Sequence, residues 1–182
     1  LTILKDLVWL YNEWNRPKEA LRLLNKAKIS HPNDRSLAYN RALVLARLAR
    51  MNEALIEAKK AQGENPQSFD ERYLYLRLLL EVGRADDVVQ RIPEPTKELF
   101  PFRLLRIRAL RQALRLAQAL KEVEFLEGHA KGEDQEQALR RLHGKVLTDL
   151  GRGAEAVGLF RRPGTPASEL GIALSRAGRA KE

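Results

Sequence analysis

At 182 residues with 44% hydrophobic side chains, the chain has material for one ordinary domain or for five to six short repeats. The absence of Cys excludes disulfides, thiol catalysis and thiolate metal sites, and no run approaches the ~18 apolar residues that a bilayer-spanning helix requires. The net charge of +9 divides into +3 for residues 1–100 and +6 for residues 101–182, a field that attracts nucleic acid, anionic lipid or acidic peptide and selects none of them.

Leu4, Leu7, Val8 and Tyr11 fall at i, i+3, i+4 and i+7, one face of a helix that is already under way at Leu1. The natural start, with any targeting peptide, is therefore expected to lie outside these residues; the compartment stays open, with the cytoplasm as default. Arg outnumbers Lys 22 to 11 and there is a single Met, a bias that suits a bacterial, GC-rich or thermophilic source and carries no functional weight. Asn15-Arg16-Pro17 breaks the helix, with Pro17 where a first turn tolerates a missing N–H. Ala20, Leu24 and Ala27 line a second helix, which His31-Pro32-Asn33-Asp34 ends.

A period then emerges: Ala20 and Ala54, Ala27 and Ala61, and Pro32 and Pro66 each stand 34 residues apart. Such a period marks stacked helix pairs, each burying its apolar face against its neighbours. With repeats starting at 1, 35, 69, 103 and 137, the second supplies Ala38, Ala42 and Leu45, and the third keeps Tyr75 and Gly83. Pro93 and Pro95 cut the next helix short, because an interior Pro costs about 3 kcal/mol; it should end near Arg91, with an irregular connector to Pro101. Between Phe102 and Gly128 there is no Gly or Pro, so the fourth repeat is either two helices with a turn near Ala117, the preferred arrangement, or one long helix. Gly144, Leu147, Ala156 and Phe160 restore the pattern, Leu150-Gly-Arg-Gly153 forms its turn, and Leu170, Gly171 and Leu174 begin a sixth unit. Gly178-Arg-Ala-Lys-Glu182 reads as the start of a helix that does not follow, so the chain is expected to be part of a longer protein.

On these residues the chain resembles the tetratricopeptide repeat family, whose pattern is a large apolar residue, then Leu, a small residue and Tyr, followed by Ala-x3-Phe-x2-Ala and a closing Pro. Leu4, Leu7, Tyr11, Ala20, Leu24, Ala27 and Pro32 match in kind; Val8, Val88 and Leu110 depart at small positions, and Arg41 stands where Leu is expected. The resemblance implies an all-α, right-handed α-solenoid of about five helix-turn-helix repeats. Residues 1–92 would hold repeats one to three, 93–101 the Pro-rich connector, and 102–182 repeats four and five with the first helix of a sixth. The small residues at 20, 42, 54, 144 and 156 are read as packing contacts and not as a site.

In this family the first helix of each repeat lines a concave groove. By that resemblance Lys5, Tyr39, Tyr73, Ile107 and Arg141 take the fifth position, and Trp9, Leu43, Arg77, Arg111 and Lys145 the ninth. The family's chaperone-carboxylate clamp would use Lys5, Trp9, Leu43, Tyr73 and Arg77, but both Asn of that clamp are replaced by Trp9 and Leu43, which argues against it. The implied function is a non-catalytic adaptor that binds a peptide or helix of a protein partner. Trp9, Tyr39 and Tyr73 are either apolar anchors or covers between repeats.

Arg108, Arg111 and Arg115, within about 60° of one another on one continuous helix, would form a basic face for acidic groups or remain solvated. Two rivals stay open, a nucleic-acid-binding array using the basic half and an architectural or homodimerising segment, although no nucleic-acid motif accompanies the charge. Catalysis, metals and cofactors find no support: His31, His129 and His143 lack metal-ligand spacing, and Asp86-Asp87 fits a helix start.

Overall fold

The computed structural model describes residues 7, 9–11, 13–64, 68–93 and 100–178. It is all-helical, with no strand among the described residues. Two compact units divide at Arg84 and Ala85, inside the third repeat of the sequence frame.

In the first unit, helical residues around 9–11 precede α1 (Pro17–Ser30), α2 (Arg35–Arg47), α3 (Met51–Gln62) and α4 (Phe69–Glu81). Local chemistry sets the starts. Pro17 opens α1; Asp34 caps α2 by accepting from Leu37 N at 2.9 Å; Ser68 caps α4 by accepting from Glu71 N at 3.4 Å. Ala54, Ala58 and Ala61 form one fully buried stripe on α3, and this absence of bulk lets α2 and α4 approach it closely. Leu37, Leu45, Leu74, Leu76, Leu78 and Leu79 fill the space around them.

The second unit comprises α5 (Ala85–Arg91), α6 (Phe100–Gln112), α7 (Leu116–Glu127), α8 (Glu133–Asp149), α9 (Gly153–Phe160) and α10 (Ala167–Arg176). The helix before Pro93 stops at Arg91, and of the expected connector residues 94–99 lie outside the described residues. Each helix packs on the next from α5 to α10, and in addition α6 packs on α8 and α8 on α10. The hydrophobic cluster at the far end joins Leu147, Ala156, Val157, Phe160, Ala173 and Leu174.

One turn recurs along the chain. Asn15, Ala49, Gly83, Leu114 and Gly151 all have positive φ, and in each case the following residue is Arg. The Arg16, Arg50, Arg84, Arg115 and Arg152 amides donate to the carbonyls of Tyr11, Leu45, Leu79, Leu110 and Leu147, at 2.8–2.9 Å. That bond, spanning the left-handed residue, closes a helix C-terminus and aims the chain into the next helix. The side chains of Arg16, Arg50 and Arg152 then pair with Glu19, Glu53 and Glu155, three residues on. Asn15, Ala49 and Gly83 keep the 34-residue interval; Leu114 comes three residues early, and Gly151 regains the frame 68 residues after Gly83.

The expected turn near Ala117 is therefore corrected to Ala113–Arg115, with Leu114 at φ 59°. The basic face of Arg108, Arg111 and Arg115 falls with it. Arg111 is in the last turn of α6 and Arg115 caps α7, so no single helix carries all three.

Arg41, the departure from the expected Leu, is explained by its partner. Its Nε lies 3.3 Å from Oε2 of buried Glu57, eight residues before and eight after Ala49. Arg106 and Glu122 repeat the geometry around Leu114, at 3.4 Å. There Arg103 adds a second cation at 2.7 Å, and Arg106 also donates to the Val89 and Ile92 carbonyls at the end of α5. Burial of such groups is tolerated because each charge meets an opposite one.

Candidate functional site

Two depressions contain the residues picked from the repeat pattern, one in each unit. In the first, Leu43 from α2 and Arg77 from α4 line an open depression of about 530 Å³ with Glu13, Ala46, Met51 and Glu81. Its floor is apolar and its rim carries both signs of charge. Tyr39, one turn before Leu43, is half-buried and faces α4: burial pushes its hydroxyl pKa up, the Asp70 carboxylate adds to this, and Arg77 opposes it. Tyr73 stacks on Phe69 of its own helix, centroids 5.6 Å apart and planes 11° from parallel, which occupies one ring face. Trp9 is 62% exposed and is not part of the depression's lining. Lys5 lies outside the described residues.

In the second unit Arg111 from α6 and Lys145 from α8 line a depression of about 210 Å³ with Asp149, Phe160, Ile172 and Arg176. The cations expected to await an acidic partner already have carboxylates of their own. Arg111 pairs with Asp149, which also takes Arg176 at 3.3 Å. Glu169 receives both Arg141 and Lys145 at 2.8 Å. The Arg141 hydrogen bond, aided by Lys145 and opposed by burial, holds the Glu169 carboxyl below its ordinary pKa. Arg108 is exposed and outside this lining.

Sequence reasoning missed Met51, Asp149, Glu169 and Arg176. The i, i+4 spacing of Arg141 and Lys145 places both on one face, but their shared partner stands on a different helix, which no local spacing reveals. Two of the three His residues are occupied structurally: His129 stacks on Phe125 at 4.5 Å, and His143 Nδ1 lies 2.6 Å from Glu127, while His31 is exposed. Among the described residues no group of three or more His, Asp or Glu is placed to hold a metal ion, and no helix is long and apolar enough to cross a membrane.

No protein-family model and no curated protein matches this chain. What the surfaces can do must therefore follow from their chemistry. An apolar floor with a mixed-charge rim suits a peptide that brings an apolar side chain and a charged neighbour.

Proposed function

We propose that this chain is a non-catalytic, peptide-binding scaffold built as a right-handed solenoid of tetratricopeptide-like repeats, and that it serves as an assembly adaptor. The observation that carries this function is convergence: residues 34 apart in sequence, Leu43 with Arg77 and Arg111 with Lys145, line shared depressions within their units. Alternate helices supply those residues, as the first helices of stacked repeats would. The recurring left-handed turn followed by Arg is a second support, because it divides the chain into helix pairs at intervals of 31 to 37 residues. Tyr39, Leu43 and Met51 are the apolar contacts, and Arg77 the charged one. Pairing of Arg111, Arg141 and Lys145 with Asp149 and Glu169 weighs against a nucleic-acid surface, which needs cations available to phosphates.

The test is selection of peptides from a random display library by the wild-type chain and by Leu43→Asp and Arg77→Glu variants, with the same buffer at low and high salt. The expected result is a family of apolar and acidic peptides bound by wild type at both salts and lost with Leu43→Asp. Equal enrichment by wild type and variants, or binding that vanishes at high salt, overturns the proposal.

A further inference from the structure

A third concavity lies where α1, α2 and α3 meet the inter-helix turn His31-Pro32-Asn33-Asp34, and none of the groove residues lines it. Its floor is Glu57, whose side chain is only 7% exposed. Three cations converge on that one carboxylate: Lys28 at 2.7 Å, Lys60 at 3.2 Å and Arg41 at 3.3 Å. Asp34, the other carboxylate of the lining, is engaged in capping α2, and Arg35 is drawn away to Glu71 and the Ala61 carbonyl.

The donor count exceeds what Glu57 can accept. An ammonium has three N–H donors and a guanidinium five. Arg41 uses one further donor on Asn25, while Lys28 and Lys60 bond nothing but Glu57 among the described residues. With Arg35 paired to Glu71, the three remaining cations face two carboxylates, and the concavity is left with one positive charge in excess. The cations are partly withdrawn from water, Arg41 at 14% exposure and Lys28 at 30%, which strengthens their pull on an anion.

We propose that this concavity is an oxyanion site that takes a phosphomonoester. A phosphoryl group, with three strong acceptor oxygens, takes up the unused donors of Lys28, Lys60 and Arg41 better than a carboxylate with two. Lysine is a common phosphate ligand, acting as a point charge with rotatable donors. At about 30 Å³ per water volume, a concavity of about 250 Å³ holds the phosphoryl oxygens together with the first atoms of the ester group. Lys28, Lys60 and Arg41 all line the concavity and donate to those oxygens, and the exposed His31 belongs to the same lining. The site is independent of peptide binding in the groove.

Inorganic phosphate and O-phosphoserine, each titrated at constant ionic strength against sodium chloride, test this by NMR of the full chain, following the amides of residues 31–34 and the lysine ammonium groups. Saturable shifts confined to this site are expected with both phosphates and absent with chloride. Lys60→Gln, at the most exposed of the three cations, should weaken binding about tenfold, the loss of one charge-assisted contact. Lys18→Gln, outside the lining, should leave it unchanged. Tighter binding of phosphoserine assigns the site to an esterified phosphate, and equal binding assigns it to the bare oxyanion. Shifts that chloride reproduces, or that Lys60→Gln leaves intact, overturn the proposal.

Discussion

Gly144 provides a test in which two effects of opposite sign compete. Inside α8, Gly→Ala should stabilise by about 1 kcal/mol from helix propensity alone. A Cβ at Gly144, however, would overlap Cε1 and Cζ of Phe160 and stand 3.0 Å from Cδ1. The ring is 3% exposed and is held among Leu147, Ala156, Val157, Ala173 and Leu174, so it cannot swing clear without displacing that cluster. Overpacking of this kind costs about 1–3 kcal/mol. Overpacking wins, and Gly144→Ala should lose about 1 kcal/mol net. Gly171→Ala is the internal control: it lies within α10 with nothing within 4 Å of the added Cβ, and should gain ~0.5–1 kcal/mol. Urea unfolding of both variants reads the difference directly. Pairing Gly144→Ala with Phe160→Leu should give a favourable coupling of at least about 0.5 kcal/mol, since the smaller side chain opens the contested space. A Gly144→Ala protein as stable as wild type, or additive behaviour in the double variant, would refute the packing argument.

Three further outcomes are expected. Leu114 is 81% exposed at φ 59°, so Leu114→Gly should raise the urea midpoint by relieving a left-handed strain of ~1–2 kcal/mol at no loss of packing. Glu122→Ala removes the carboxylate that Arg103 and Arg106, each 6% exposed, share, and should cost ~3–5 kcal/mol in denaturant unfolding, against less than about 1 kcal/mol if the pairing were incidental. Glu169 has its folded pKa depressed, chiefly by the Arg141 hydrogen bond; its contribution is complete at neutral pH and is lost as pH falls through its unfolded value of about 4.3 toward the folded one. Thermal melts of wild type and Glu169→Gln should thus differ at pH 7 and converge in acid, and a constant difference would exclude the ion pair as its cause.

Much of the helical layout was legible because local chemistry writes it. Pro17 opens a helix, Pro93 closes one after Arg91, and the alanines at 54 and 61 form a stripe because close approach requires small side chains. What escaped was one local turn and the pairings set across helices. A 34-residue frame places the fourth turn at Ala117, yet it forms at Leu114, a residue with no turn propensity, because the backbone bond from Arg115 to Leu110 closes it. The better cue was the Arg that follows every such turn, present in the sequence at 16, 50, 84, 115 and 152. Arg41 read as a blemish until Glu57, sixteen residues on, came beside it. The basic C-terminal half read as a ligand surface for the same reason: charge composition counts Arg111, Arg141 and Lys145 but cannot say that Asp149 and Glu169 sit between them.

The repeated turn also bears on how the chain finds its fold. Each closing bond joins an amide to a carbonyl only five residues back, so every helix pair can be aimed before any distant contact exists. Chains dominated by such local closures have little loop entropy to overcome and reach their native pairing in microseconds to milliseconds. For a chain emerging from a ribosome, one helix pair could thus dock on the last while the next is still being made.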